Sequence, residues 1–150
     1  MNFIDTALAN QCNLSDDDFL QAMAGIYHEP EVWKILYKYP QYIQDVIYLI
    51  DYDTELQMEG LESVVNGPMS ENYDKIHTAL LNCGALEEAH ILEEARHLNI
   101  DSDDYDDDDY YEQIEILESR VALHNDYDHF WDLVRNYIGK SRNATISSTL

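Results

Sequence analysis

Apolar residues recur every three or four positions along almost the whole chain, and this spacing is typical of amphipathic helices. Ile43, Val46, Ile47 and Ile50 form one such stripe. We find no segment in which apolar and polar residues alternate between hairpin turns, which is the pattern that indicates strands. The sequence therefore predicts an all-α fold.

The chain of 150 residues has the length of one domain, and breaks that contain glycine divide it into separate helices. Ser15, which three aspartates follow, is placed to cap a helix. Asn66-Gly67-Pro68 is a strong breaker, and Gly84 is placed to end the helix before it. Gly139 is expected to end the last helix, with a flexible tail after it. We therefore expect a compact single-domain bundle of roughly seven to eight helices over residues 1–138, followed by a tail over residues 139–150.

The balance of charge excludes several classes of function. The chain carries 31 acidic and 8 basic residues, which gives a formal net charge of -23. Phosphates repel such a chain, so we expect no direct binding to nucleic acid and no attachment to an anionic membrane. There is no basic leader before an apolar run, and no stretch has the roughly 18 apolar residues that a membrane span needs. Cys12 and Cys83 are too few for a disulfide scaffold, and these features together predict a cytoplasmic protein.

The negative charge is concentrated in one part of the chain. Seven of the nine residues from Asp101 to Asp109 are aspartate. Between Glu87 and Asp132 there are 17 acidic residues against two arginines, a local balance of -15 in 46 residues. The net charge of the chain is far beyond the magnitude of roughly 2–8 that keeps a small domain soluble. We therefore interpret the excess as a surface for a partner, although charge runs are often no more than solvated faces.

Two sets of carboxylates follow helical spacing. They are Asp51, Glu55, Glu59 and Glu62, and Asp108, Glu112, Glu115 and Glu118. The first set shares one face only if its helix runs unbroken from Asp51. With a rise of 1.5 Å per residue, neighbouring carboxylates lie roughly 4.5–6 Å apart along the axis, close to the spacing of phosphates along a nucleic-acid strand. Like charges this close weaken a helix. We therefore interpret the arrangement as an electrostatic field that serves the binding of a partner.

Tyrosine is the second unusual feature, because 12 residues of the chain are tyrosine and three of them lie within or beside the acidic block. Tyrosine supplies rigid contact area with a polar tip and is enriched at interfaces. Acid combined with tyrosine could therefore form a specific docking surface. The residues predicted to bind the partner are Asp51, Glu55, Glu59, Glu62, Asp101, Asp103, Asp104, Asp106, Asp107, Asp108, Asp109, Tyr110, Tyr111, Glu112, Glu115 and Glu118.

Two constellations resemble metal sites, but neither predicts one. The first is the set Glu87, His90, Glu94 and His97. It contains two Glu-x-x-His units, yet both lie on one helix and on its polar side, instead of converging from separate helices. The stretch from Asp101 to Glu112 has the length of an EF-hand loop, but it places Asp106 where that loop requires glycine. Since the sequence also shows no phosphate-binding loop, nucleophile elbow or His-Glu-x-x-His motif, we expect no metal, no cofactor and no enzymatic activity.

The middle of the chain, from about Asp51 to Leu98, resembles a family of small, acidic, all-helical bacterial domains. The shared residues are Glu59-Gly60-Leu61, Asn66-Gly67, Ala79-Leu80, Gly84-Ala85, Ala89, Ile91-Leu92 and Ala95. The best-described member of this family is a DNA-mimic protein, and the family is otherwise of unknown function. The resemblance implies an all-α fold, a homodimer, and a surface that occupies the DNA-binding site of a regulatory or chromatin-like protein. The acidic positions are not part of the shared motif.

Charge and resemblance together predict a DNA-mimic or acidic inhibitory protein. It would occupy the basic nucleic-acid-binding surface of a partner such as a regulator, a nucleoid protein or a nuclease. One alternative is an immunity protein that neutralises a basic nuclease toxin by the same physics. Another is a helical domain that binds divalent cations through the aspartate block, and a third is a soluble helical domain without a partner.

Overall fold

The computed structural model of the chain describes residues 2–66, 68–98 and 107–148. Within these ranges it is built from helices and contains no strand, so the all-α prediction is confirmed. None of the helices described is both long enough and apolar enough to cross a membrane. The α-helices are α1 (Phe3–Ala9), α2 (Asp16–Met23), α3 (Gln41–Glu59), α4 (Leu61–Val65), α5 (Tyr73–Cys83), α6 (Leu86–Arg96), α7 (Asp107–Glu118), α8 (Ala122–Asn125) and α9 (Tyr127–Ser148). Helices of the 3-10 type span Gln11–Asn13, Ala24–Tyr27, Pro30–Lys38 and Pro68–Asn72.

Local signals place two of these helices as the sequence predicts. Ser15 caps α2, since its Oγ accepts a hydrogen bond from the backbone N–H of Asp18 at 3.0 Å. Three aspartates in the first turn of α2 are favoured there by the helix dipole. At the end of α5, Gly84 adopts the left-handed conformation with φ 87°, which glycine adopts without strain.

α3 lies at the centre of the bundle and packs against α2, α5 and α9. Ile43, Val46 and Ile47 of its apolar stripe are buried and Ile50 is partly buried, while Asp45 is buried with them at 1% exposure. The Oδ2 atom of Asp45 accepts hydrogen bonds from Asn82 Nδ2 at 2.9 Å and from the Tyr137 hydroxyl at 2.5 Å. Gln41 donates to the other carboxylate oxygen at 2.8 Å. A buried carboxylate is tolerated only with such donors, so Asp45 fixes the relative positions of α3, α5 and α9.

The last helix does not end at Gly139, where the sequence predicts its end. α9 continues to Ser148, and Arg142 is buried with 6% of its surface exposed. Its guanidinium donates to Asp16 Oδ1 at 3.0 Å and to the Leu14 carbonyl at 2.9 Å, and it lies 4.9 Å from the Phe19 ring centroid. Gly139 serves close packing, because an added Cβ would lie 2.6 Å from Asp16 Oδ2. The prediction that Gly139 ends the last helix is therefore wrong.

Candidate acidic partner-binding surface

α7 carries much of the predicted surface and lies antiparallel to α4. Near the start of α7, the Tyr110 hydroxyl accepts a hydrogen bond from Asn66 Nδ2, just after α4, at 2.8 Å. At the end of α7, Glu118 Oε1 accepts from the backbone N–H of Leu61, the first residue of α4, at 2.5 Å. Ile114 and Leu117 are buried between these two contacts. α7 is therefore fixed near both of its ends.

The opposite side of α7 presents carboxylates to solvent. Asp109, Glu112 and Glu115 are exposed there, and we name these three residues the α7 acidic face. They are three residues apart in sequence, so they advance by about 4.5 Å per step along the axis. Tyr111 is 56% exposed on the same helix. The predicted display of acid together with tyrosine is present at these positions.

The first predicted stripe of carboxylates is interrupted, because α3 ends at Glu59. Gly60 has φ 90° and ψ 174°, a backbone conformation that is close to exclusive to glycine. The chain restarts as α4 at Leu61. Glu62 therefore lies on a different helix from Asp51, and the condition of an unbroken helix is not met.

Asp51 and Glu55 are half-buried and bonded within the fold, so they do not form a freely exposed stripe. The Tyr27 hydroxyl donates to Asp51 Oδ1 at 3.1 Å. Burial raises the pKa of Asp51, the Tyr27 hydrogen bond lowers it, and the negative charge of Glu55 raises it. Glu55 Oε1 accepts from Ser63 Oγ at 2.7 Å, which joins α3 to α4. Of the first stripe, Glu59 is the fully exposed member.

Two predicted contact residues of α7 support the surface from beneath. Glu118 is half-buried, and its carboxylate accepts a hydrogen bond from the Leu61 N–H. Tyr110 is only 5% exposed, so little of its surface is accessible to a partner. Burial raises the pKa of Tyr110, the hydrogen bond from Asn66 lowers it, and the charge of Glu62 raises it. The Tyr111 ring packs edge-on against Tyr110, with centroids 5.1 Å apart.

The centre of the aspartate block is not among the described residues. Asp101, Asp103, Asp104 and Asp106 lie outside them, as do the side chains of Asp107 and Asp108. Most of the stretch that resembles an EF-hand loop therefore also lies outside. The described part of the predicted surface is the α7 acidic face together with its neighbours on α3 and α4.

The part of the chain that contains this surface matches a known protein family. The profile of the DMP19-like protein family matches residues 38–142. The chain belongs to the DMP19-like protein family. The match extends from α3 through α8 and into α9 as far as Arg142, so it includes the α7 acidic face and the α4 helix that supports it. No curated protein and no solved structure matches the chain.

In this DMP19-like protein, the histidines and glutamates of α6 pair with one another and with α5. His90 Nε2 lies 2.8 Å from Glu94 Oε1, and His77 Nε2 lies 2.6 Å from Glu93 Oε1. The hydrogen bond with His77 is the main cause that lowers the pKa of Glu93. His97 contacts the Glu93 backbone carbonyl at 2.7 Å. Among the residues that the structure describes, no three His, Cys, Asp or Glu side chains are grouped to hold a metal ion.

Glu88 is a carboxylate that the sequence pattern does not indicate, and it is buried with 3% of its surface exposed. Its Oε1 accepts a hydrogen bond from the backbone N–H of Ala122 at the start of α8, at 2.9 Å. Burial raises the pKa of Glu88, while backbone hydrogen bonds from Ala122 and Leu123 lower it. The available signal was its position next to the apolar side of α6, directly before buried Ala89.

Three further aspartates, Asp17, Asp53 and Asp132, were also missed. Asp17 and Asp132 bond to Arg135, and Asp53 bonds to Tyr127. The pairs Asp17–Arg135 and Asp53–Tyr127 are separated by 118 and 74 residues. No local pattern in the sequence brings such residues together, so only the folded chain shows this cluster.

Proposed function

We propose that this DMP19-like protein binds the basic nucleic-acid-binding surface of a partner protein and so keeps nucleic acid away from it. The observation that carries the proposal is the α7 acidic face, whose three carboxylates are exposed on a helix fixed to α4 near both ends. The resemblance to a family with a DNA-mimic member supports the same function.

The mechanism is competition for the same cationic side chains. Lysine and arginine residues that hold phosphates form equally suitable charge-assisted hydrogen bonds with carboxylates. A fixed carboxylate loses less conformational freedom on binding than one on a mobile segment. The α7 acidic face is supported by a buried helix face, and Tyr111 adds rigid contact area beside it. While these groups occupy the partner, its basic side chains are not available to phosphates.

The test is capture of partner proteins from a lysate of the source cells on the immobilised chain, at low and at high salt. We expect capture to weaken as salt rises, and duplex DNA to displace the captured proteins. The variant Asp109→Asn/Glu112→Gln/Glu115→Gln should reduce capture. Three exposed ion pairs contribute about 0.6–3 kcal/mol, so the loss in affinity should be about 3- to 150-fold.

A matched control removes the same number of charges elsewhere. Glu31, Asp74 and Glu87 are exposed on three other elements, and Glu31→Gln/Asp74→Asn/Glu87→Gln should retain most of the binding. Equal behaviour of the two triple variants would show that only net charge matters. That result, or a failure of duplex DNA to compete, contradicts the proposal.

A further inference from the structure

A small pocket opens between α2, the 3-10 helix that follows it, α3 and α9. Leu20, Ala24, Ile50 and Trp131 give it apolar walls, and Tyr127 and Arg135 also line it. Its volume is about 200 Å³. Small-molecule sites in proteins occupy roughly 300–1,000 Å³. The pocket is therefore of a size for a single side chain.

The charged groups around the pocket are mainly acidic. Arg135 Nε donates to Asp17 Oδ1 at 2.8 Å, and Arg135 Nη1 donates to Asp132 Oδ1 at 3.0 Å. The Tyr127 hydroxyl donates to Asp53 Oδ2 at 2.8 Å. The side chains of Asp17 and Asp132 are 51% and 66% exposed, so both remain open to a further cation. Three carboxylates and one guanidinium leave a local balance of -2.

We propose that this pocket anchors one apolar side chain of a lysine- or arginine-rich segment in a partner protein. The apolar walls remove that side chain from water, and Asp17, Asp53 and Asp132 pair with its basic neighbours. Buried anchors surrounded by polar groups are the usual form of binding hot spots. An anionic ligand is disfavoured by the local charge, and an apolar segment without basic residues gains nothing from the aspartates.

The inference rests on the proposed function only for the basic character of the partner, and it adds a source of specificity. Complementary charge chiefly steers a partner and is weakened by salt. A filled apolar pocket contributes affinity that salt does not screen. The affinity contributed by the α7 acidic face should therefore fall as salt rises, whereas that contributed by the pocket should not.

The test uses two synthetic probes, a short lysine peptide with one central phenylalanine and the same peptide with alanine in that place. The chain has two tryptophans, and their indole N–H signals are separate reporters in a ¹⁵N NMR spectrum. Trp131 lines the pocket, whereas Trp33 packs against Tyr48 with ring centroids 5.2 Å apart. We expect the phenylalanine peptide to shift the Trp131 signal and leave that of Trp33. It should bind about 10-fold or more tightly than the alanine peptide.

Two variants test the walls and the charges separately. Ala24→Leu fills the pocket and should abolish the preference for phenylalanine, while charge-dependent binding remains. Asp132→Asn should weaken the binding of both peptides, and because it adds no volume it remains informative if Ala24→Leu disturbs folding. Thr78→Leu also introduces a leucine, and Asp74→Asn removes the same charge as Asp132→Asn; both lie at exposed positions of α5 and serve as controls. Circular dichroism melting curves check that each variant is folded.

Several outcomes overturn the anchor site. They are equal affinity for the two peptides, a shift of Trp33 instead of Trp131, and a folded Ala24→Leu variant that keeps the phenylalanine preference. A Trp131 signal that moves with protein concentration alone would assign the pocket to a second copy of the chain. The proposed function is tested by a different result, because it requires the α7 triple variant to capture less protein from the lysate. Peptide preference with unchanged capture would retain the pocket and reject the α7 acidic face.

Discussion

Glu88 is a carboxylate almost entirely removed from water, with 3% of its surface exposed. Burial raises its pKa above the ordinary value of 4.5, so in the folded chain it ionises at a higher pH than in the unfolded chain. Below pH 4.5 the group is protonated in both states and has little effect on stability. As the pH rises through the raised folded pKa, its buried negative charge opposes folding. The wild type therefore loses stability from this group as the pH rises from 4.5 through the raised folded pKa.

The substitution Glu88→Gln should remove this loss. Glutamine keeps an oxygen that can accept from the Ala122 N–H, but it carries no charge at any pH. We expect the variant to be at least as stable as the wild type at pH 7, with the difference shrinking as the pH falls toward 4.5. Urea unfolding between these pH values measures it. Glu87→Gln removes an exposed charge from the same helix and controls for general charge repulsion. A Glu88→Gln variant that is less stable than the wild type at pH 7 would show that the charge of Glu88, which accepts from the N–H at the start of α8, favours folding more than its burial opposes it.

At the level of single residues, sequence analysis identified the exposed acids of α7 and missed those used inside the fold. Helical spacing places Glu112 and Glu115 opposite the apolar residues of their own helix, so their exposure follows from a local pattern. The partners of Asp51 and Glu55 are Tyr27 and Ser63, which lie on other elements. Their hydrogen bonds arise from tertiary packing, which the periodicity of one helix does not contain.

Among the elements, the break between α3 and α4 determines where the acidic surface begins. Gly60 joins the two helices with φ 90°, and a Cβ at this position would lie 2.8 Å from Glu118 Oε1. The same carboxylate oxygen accepts from the Leu61 N–H. A side chain at position 60 would therefore both strain the backbone and displace the group that holds α7 to α4.

The substitution Gly60→Ala should destabilise the protein by about 1–3 kcal/mol from backbone strain alone, with a further loss from the displaced Glu118. Gly84→Ala is the comparison, because Gly84 has a positive φ of 87° with a ψ of 10°, and no neighbouring atom lies within 4 Å of an added Cβ, so its loss reports left-handed strain without a clash. Urea unfolding of the two variants gives the comparison. We expect the larger loss for Gly60→Ala, and equal losses would mean that the Glu118 contact contributes nothing to stability.

Helix ends were predictable where the signal is local and were not where it comes from a distant residue. The Ser15 cap and the Gly84 end depend on neighbours within a few positions, and both are confirmed. The residues that flank Gly60 and Gly139 in the sequence do not tell a helix end from a helix interior. The first ends a helix beside Glu118, and the second lies within a helix beside Asp16. The hydrogen bonds that hold Glu118 and Asp16 beside these glycines, to Leu61 and to Arg142, join residues 57 and 126 positions apart.

At the scale of the whole molecule, a net charge of -23 sets folding and binding against each other. Carboxylates that attract a basic partner also repel one another in the compact state. Neighbouring like charges on a helix are unfavourable by about 0.2–0.5 kcal/mol per pair. Dissolved salt screens both the repulsion within the chain and the attraction to a partner. Folding stability and partner affinity should therefore respond to salt with opposite signs.

Raising NaCl from low to high concentration should increase the stability of the isolated chain while it weakens partner binding. Relief of several like-charge pairs amounts to about 1 kcal/mol or more, which for a chain of this size is about 2–4 °C in Tm. Melting curves followed by circular dichroism measure the first effect, and capture at the same salt concentrations measures the second. CaCl₂ at matched ionic strength is the control, because screening alone predicts the same rise for both salts. A much larger rise with calcium would indicate specific cation binding by the carboxylates. A fall in Tm with NaCl would mean that ion pairs stabilise the fold more than like charges weaken it, and the opposition between folding and binding would not hold.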